Sequence, residues 1–174
     1  MSNTKITIDI NTPGYKHRTA LCIAAKNNKP EVVKKLLAQK NIDPNVPDTN
    51  NYTALNRAAK KGHTAVVKEL LTHTNTDPNI TNKKQETPLI WAAYYGFVDI
   101  VKLLCAHKKT DINIADHHGK TALYWAATKG YLQAVKELLK HKKINRNKAT
   151  PDGRTPLNRA LFKRHTKIAE LLRS

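Results

Sequence analysis

Three histidines recur at a fixed interval and could, on residue type alone, be ligands for a metal ion. His73, His107 and His141 are each separated from the next by 34 residues. If equal intervals mean equal places in a repeated structure, neighbouring histidines lie about 10 Å apart, the spacing of packed helices. A single zinc ion needs its ligands at about 2 Å, so these side chains do not share one. We interpret them as residues at the end of a repeated helix, where a partly protonated imidazole suits the helix dipole.

The residues needed for enzymatic chemistry do not occur in any recognisable pattern. The sequence contains no P-loop, HExxH, GxGxxG or nucleophile elbow, and neither Cys22 nor Cys105 has a histidine at motif spacing. We therefore predict no enzyme, no catalytic residue, no cofactor and no metal. The two thiols lie two repeated units apart, beyond disulfide reach, which suits a reducing compartment. Because no apolar stretch has the length of a membrane helix or of a signal-peptide core, a cytoplasmic protein is expected.

Two longer motifs recur at the same interval of 34 residues. The first, Thr-Ala/Pro-Leu-x-x-Ala, begins at Thr19, Thr53, Thr87, Thr121 and Thr155. Its leucine and its small residues lie on one face of a short helix. The second has apolar residues at helical spacing, as in EVVKKLL from Glu31 and AVVKELL from Ala65. A fixed period of this length indicates a solenoid, in which each unit buries its apolar face against its neighbours.

On these motifs the chain resembles the ankyrin repeat family, from about residue 14 to the C-terminus. The resemblance implies an all-α solenoid of five helix-turn-helix units with hairpin-turn loops. The expected repeats are about 14–47, 48–81, 82–115, 116–149 and 150–174. Residues 1–13 precede them as a leader, in which ITIDI alternates like a short strand but fits a disordered segment equally well. The leucines expected in one buried row are Leu21, Leu55, Leu89, Leu123 and Leu157.

The turns of the repeats differ in whether they contain glycine. Glycine follows the first helix in the three central repeats and occupies the hairpin turn in the last two. The same places elsewhere carry Asn28, His17, Asn51, Gln85 and Arg164. Asparagine tolerates left-handed backbone, whereas arginine does so less easily. We therefore expect an altered last turn at Arg164 and less regular hairpin tips in the first three repeats.

Loop asparagines at the 34-residue interval match those that asparaginyl hydroxylases modify in some ankyrin proteins. They are Asn45, Asn79, Asn113 and Asn147. A structural role in the turn is the favoured interpretation.

Both tryptophans fall at the same position of adjacent repeats. This position, four residues after the motif threonine, lies opposite the apolar stripe, and in ankyrin proteins that side forms the concave groove. Exposed aromatic side chains are costly unless covered, and interface hot spots favour Trp, Tyr and Arg. The predicted partner-binding residues are Arg57, Lys61, Trp91, Tyr94, Tyr95, Tyr124, Trp125, Lys129, Arg159 and Lys163. In the alternative interpretation the tryptophans lie flat on neighbouring repeats and only fill the groove.

The charge of the chain indicates the kind of partner. The net charge is +18, and residues 140–174 hold eleven basic residues against two acidic ones. Such a field attracts acidic partners and makes binding sensitive to salt. We predict a monomeric, non-enzymatic module that binds an acidic protein or peptide in its groove. Nucleic acid or another polyanion bound by the basic C-terminal repeats is the second hypothesis, and a methyl-lysine cage is a weaker one.

Two further interpretations of the charge stay open. Lysine and asparagine could simply replace other polar residues and keep the chain soluble. Stand-alone ankyrin proteins rich in these residues also occur among intracellular bacteria. That resemblance suggests an effector delivered to the cytoplasm or nucleus of a host cell.

Overall fold

The fold consists of short helices that follow one another in pairs. The computed structural model describes residues 9–14 and 17–173, and in these residues ten helices form five consecutive pairs. The first helices of the pairs are α1 (Ala20–Lys26), α3 (Ala54–Lys61), α5 (Pro88–Tyr95), α7 (Ala122–Lys129) and α9 (Pro156–Phe162). The second helices are α2 (Pro30–Leu37), α4 (Thr64–Thr72), α6 (Val98–Ala106), α8 (Leu132–Leu139) and α10 (Thr166–Arg173). First helices stack on first helices and second on second, so the pairs form a two-layered solenoid.

Each first helix begins at the motif threonine, which caps it. The Thr53 hydroxyl accepts a hydrogen bond from the backbone N–H of Asn56, three residues on, and the other four threonines make the same bond. This bond satisfies one of the N–H groups left free at a helix N-terminus. In α3 and α9 an asparagine three residues on, Asn56 or Asn158, also accepts from the threonine N–H and completes a capping box. The repeated threonine therefore fixes where the first helices start.

The apolar core runs between the two layers along the whole array. Leu21, Leu55, Leu89 and Leu123 are buried in one row, as the sequence predicts. Leu157 in α9 is half-buried, because α9 packs against α7 and α10 at the end of the described array. The alanines after each leucine are also buried, which lets neighbouring first helices approach closely. None of the described helices is long and apolar enough to cross a membrane.

The turns are more regular than their residue types predict. His17, Asn51 and Gln85 have φ values of 48°, 62° and 57°, the same left-handed region that Gly119 and Gly153 occupy in the later hairpins. Our expectation of less regular hairpin tips is therefore wrong. The expectation of an altered last turn is wrong too. Arg164 has a φ of 60° and its N–H donates to the Leu161 carbonyl. The stacking of neighbouring pairs evidently outweighs a backbone cost of about 1 kcal/mol at each such residue.

The loops between pairs are joined by a ladder of asparagine side chains. The Asn79 amide donates to the Lys109 carbonyl (2.7 Å), and its oxygen accepts from the Asp111 N–H (2.8 Å). Asn11, Asn45 and Asn113 make the same two bonds to the loop that follows each of them. Both polar atoms of these asparagines are thus used in folding, as the favoured interpretation expects.

The ladder includes part of the predicted leader. Residues 9–11 form a turn in which Asn11 N–H bonds the Asp9 carboxylate (2.9 Å), as in the later Asp-x-Asn loops. Residues 6–8 of the possible strand lie outside the described residues.

Candidate functional site

One row of side chains runs across the stacked first helices. It consists of the fourth residue after each motif threonine: Ile23, Arg57, Trp91, Trp125 and Arg159. We call this set the groove row. Because α1, α3, α5, α7 and α9 pack in that order, equivalent residues of neighbouring helices are adjacent. The five residues therefore form one continuous stripe of the molecule.

Aromatic rings connect the centre of the groove row. The ring centroids of Tyr52 and Trp91 are 6.4 Å apart, and those of Trp91 and Tyr94 are 6.1 Å apart. Tyr94 in turn meets Trp125 edge to face at 4.9 Å. Tyr95 stacks on Trp91 with centroids 5.8 Å apart and an angle of 12° between the rings. The two tryptophans are therefore joined through Tyr94, and the predicted aromatic residues Trp91, Tyr94, Tyr95 and Trp125 form one cluster.

Two of the predicted contact residues are buried, which corrects the expectation that they face the solvent. Trp91 is only 9% exposed and Tyr124 only 3%. The position of a residue in the sequence determines the face of its own helix on which the side chain lies. It does not determine which residues of neighbouring elements cover that side chain. Here Tyr52 and Tyr95 cover the Trp91 indole. Among the predicted contact residues, the more accessible aromatic side chains are Tyr95, which is 42% exposed, and the half-buried Tyr94 and Trp125.

Cations lie over the faces of these rings. Lys60 Nζ is 3.8 Å from the centroid of the Trp91 ring, and Lys129 Nζ is 4.3 Å from that of Tyr94. Lys120 lies over Trp125 at 4.7 Å, and Arg57 lies over Tyr52 at 4.2 Å. Such contacts hold a cation in place while leaving its other donors available. Lys61 and Lys163 are exposed, the latter 5.7 Å from the Phe162 ring.

Carboxylates also reach the groove row, which the sequence analysis missed. Nine residues before the last four row positions the hairpin loop carries Asp48, Asn82, Asp116 and Thr150. Asp48 forms an ion pair with Arg57, whose Nε donates to its Oδ2 at 3.0 Å. Asp116 Oδ2 accepts from the Trp125 indole N–H at 2.9 Å. The sequence already contained a pattern that could have identified these residues, because their positions recur at the 34-residue interval.

The Asp48 carboxylate is held in its charged form. Burial raises the pKa of Asp48, but the Arg57 hydrogen bond and the backbone N–H groups of Asn50 and Tyr52 outweigh burial and lower it overall. Arg18 adds a second cation, with its Nε 3.7 Å from the same oxygen. Arg57, a predicted contact residue, is therefore already neutralised within the chain.

At two of these hairpin positions the residue is not an acid, and the groove-row donor that follows it has no acceptor. In the third pair Asn82 replaces the acid and its amide donates to Glu86 (2.6 Å), and the buried Trp91 indole N–H has no hydrogen-bond partner among the described residues. In the fifth pair Thr150 replaces the acid, and the buried Nε of Arg159 likewise has no partner there. Unpartnered buried donors are uncommon in folded proteins and call for an explanation.

A pocket of about 360 Å³ opens beside Arg159, between the fourth and fifth pairs. Its lining includes His118, Lys120, Tyr124, Trp125, Arg154 and Arg159. Burial raises the pKa of Tyr124, and the Arg159 and Arg154 cations oppose that rise. Asp152, the acidic residue in the lining, is bonded to Arg154 (3.0 Å) and to the Thr150 hydroxyl. The pocket therefore combines positive charge with aromatic walls.

Side chains capable of binding a metal ion are not gathered together in the described part of the chain. Within it no group of three His, Cys, Asp or Glu residues could hold a metal ion. Burial raises the pKa of both Cys22 and Cys105 to about 11, so both thiols are protonated near neutral pH. His73 and His107 lie at the ends of α4 and α6, as expected. Burial and nearby Lys109 lower the pKa of His107, which disfavours the charged imidazole that the sequence suggested there.

Comparisons with known proteins agree with this architecture. The family model of ankyrin repeats in three copies matches residues 4–82, 21–116, 62–148 and 108–174. The crystal structure of EF0377, an ankyrin repeat protein, is similar over 97% of this chain and 86% of that chain, with 29% sequence identity and a TM-score of 0.89. Among curated proteins, none matches this chain.

Proposed function

This chain belongs to the ankyrin repeat family, whose repeats are general modules for protein–protein interaction, and we propose that it binds an acidic protein segment along the groove row. The segment is an extended peptide with an apolar side chain between acidic ones. Tyr94, Tyr95 and Trp125 receive the apolar side chain. Lys61, Lys129 and Lys163 meet the acidic side chains.

The observation that carries this proposal is the aromatic cluster of α5 and α7 together with the exposed cations on and beside it. Lys129 lies over the Tyr94 ring of the cluster, Lys61 ends the neighbouring helix α3, and Lys163 directly follows the neighbouring helix α9. A lysine held over a ring is already partly ordered, so a carboxylate of the partner gains a charge-assisted hydrogen bond at a reduced entropic cost. The rings beneath supply apolar area of the kind that interface hot spots use. The row therefore combines two features that an acidic peptide with an apolar anchor requires.

The same cations disfavour the alternative ligands of these rings. A nucleic-acid base stacks on an open aromatic face, but here Lys60, Lys120 and Lys129 occupy ring faces. A methyl-lysine would have to displace a lysine of the chain from the same ring and would meet the remaining positive charge. An acidic side chain is attracted by the lysines already present.

Matched charge variants test the proposal. The groove variant carries Lys61→Gln, Lys129→Gln and Lys163→Gln. The control variant carries Lys34→Gln, Lys68→Gln and Lys136→Gln on the exposed side of the second helices. All six lysines are exposed, and both variants lose three charges. Peptides are selected on the wild-type chain from a displayed library rich in Asp and Glu, and their affinities are then measured for all three proteins.

We expect the groove variant to bind the selected peptides at least about ten-fold more weakly, and the control variant to stay within about two-fold of wild type. Equal losses in both variants would mean that net charge alone attracts the peptides. Failure of the library to yield any binding peptide would also contradict the proposal.

A further inference from the structure

Arg159 occupies a place where the same chain elsewhere pairs an arginine with a carboxylate. Arg57, its equivalent in the second pair, donates to Asp48 from the hairpin of its own repeat. The corresponding hairpin residue for Arg159 is Thr150, whose hydroxyl bonds Asp152 and the Arg154 backbone instead. Arg159 therefore keeps the position of Arg57 without the carboxylate that neutralises it.

The surroundings of Arg159 favour the binding of an anion in place of the missing carboxylate. Its Nε is buried and has no partner within the described chain, and its guanidinium lies 4.9 Å from the Phe162 ring centroid. Phe162 is itself 72% exposed. Lys120, Arg154 and the carboxylate of Asp152 also line the adjoining pocket, and with Arg159 the three cations outweigh the one carboxylate, so the local charge is positive. A buried cation donor without an acceptor is unfavourable, and an anion that enters the pocket would relieve that cost.

We propose that this pocket binds the side-chain carboxylate of an aspartate or glutamate in the partner, with Arg159 as its principal contact. The proposal rests on the proposed function and names one point of contact for the acidic segment. A carboxylate is favoured over other anions because the chain itself places a carboxylate at the equivalent position in the second pair. Its two oxygens match the planar guanidinium and accept two parallel N–H donors. Phe162 and Trp125 then contact the aliphatic part of the acidic side chain.

The first experiment follows the Arg159 Nε–Hε signal by NMR in the full chain. The probe is blocked aspartate, N-acetyl-aspartyl amide, added at constant ionic strength. N-acetyl-asparaginyl amide, sodium chloride and inorganic phosphate serve as comparison probes. We expect a saturable shift of the Arg159 signal with the aspartyl probe, and little shift with the asparaginyl probe or with chloride. The same response to chloride, no response, or a response to phosphate alone would overturn the carboxylate assignment.

The variant Thr150→Asp is the matched control, because it supplies the carboxylate that the second pair already has. We expect the Arg159 signal of this variant to be shifted before any probe is added and to respond no further. The free energy of unfolding of this variant, measured by urea denaturation, tests whether it is folded. If the variant still responds like wild type, the pairing argument is wrong.

The second experiment separates this inference from the proposed function. Peptides selected on the wild-type chain are measured against Arg159→Gln and Thr150→Asp, with one acidic residue at a time changed to its amide. We expect that for one acidic residue of the peptide the change to its amide lowers the affinity for wild type about ten-fold. The same change should leave the affinity for either variant unaltered. If peptides bind and no such residue exists, the pocket inference fails while the groove function stands. If no peptide binds, the groove function fails, and the NMR response decides on the pocket alone.

Discussion

One asparagine side chain forms two hydrogen bonds between successive loops of the solenoid. Its amide N–H₂ and its carbonyl oxygen each bond the next loop backbone, so both functional ends of the residue are used. An aspartate in its place would lose the donor, and a leucine would lose both bonds. The recurrence of asparagine every 34 residues is therefore explained by backbone groups that need both a donor and an acceptor at one place.

We predict that Asn79→Ala lowers the free energy of unfolding by about 1 to 2 kcal/mol, because the Lys109 carbonyl and the Asp111 N–H both lose a partner. Asn147→Ala is the control. Asn147 holds the equivalent place in the last loop, and its exposed side chain makes no hydrogen bond among the described residues. This second change is expected to stay within about 0.5 kcal/mol of wild type in urea denaturation. Equal effects of the two substitutions would show that the ladder adds no stability.

Trp91 illustrates which properties of a residue the sequence predicts and which it does not. The sequence predicts its place in the groove row, since that depends only on helical periodicity. Its burial depends on Tyr52 from the preceding hairpin, which helical periodicity does not locate. Asp48 and Asp116 were overlooked for a similar reason, because a contact across nine residues requires the conformation of the hairpin as well as the interval.

At the scale of the helix pair, the sequence specifies helices better than turns. Each helix has a threonine cap or an apolar face that repeats, so its position follows from residue type. The turns do not follow in this way, because His17, Asn51, Gln85 and Arg164 adopt a backbone that their residue types disfavour. Their left-handed conformation follows from the neighbouring pairs, whose stacking fixes the ends of each turn.

This imposed conformation predicts opposite effects for two reciprocal substitutions. Gln85 has a φ of 57°, and replacing it with glycine removes the strain of a Cβ in the left-handed region. We expect Gln85→Gly to raise the free energy of unfolding by about 0.5 kcal/mol, because the greater freedom of unfolded glycine offsets part of the gain. Gly153→Gln should lower it by about 1 kcal/mol through the backbone alone. No atom lies within 4 Å of a Cβ built at Gly153, so steric contact does not enter the comparison.

Both changes are measured by urea denaturation of the single variants. A loss of stability for Gln85→Gly would mean that the glutamine side chain makes a favourable contact, and the argument from backbone strain would then be wrong.

At the scale of the whole molecule, charge and shape act on different partners. A net charge of +18 attracts any polyanion, whereas in our proposal the groove row and the Arg159 pocket select by the position of acidic and apolar groups. Salt separates these contributions. Long-range attraction is screened beyond about 10 Å at 0.1 M salt, while a carboxylate seated on a partly buried arginine is screened much less.

We therefore predict that duplex DNA binds this chain only at low salt, with an affinity that falls steeply with the logarithm of salt concentration. One variant neutralises Lys142, Lys143, Arg159 and Lys163, and its control neutralises Lys29, Lys34, Lys35 and Lys40 in the first repeat, so both lose four charges. The slope should decrease more in the C-terminal variant, by up to about 0.9 for each phosphate contact removed, because basic residues are concentrated there. Fluorescence anisotropy at a series of salt concentrations measures this slope.

Binding that persists with sequence preference at about 0.15 M salt would make nucleic acid, rather than an acidic protein segment, the partner to pursue. Binding that vanishes there, alongside acidic peptides that still bind, is the result that the groove geometry predicts.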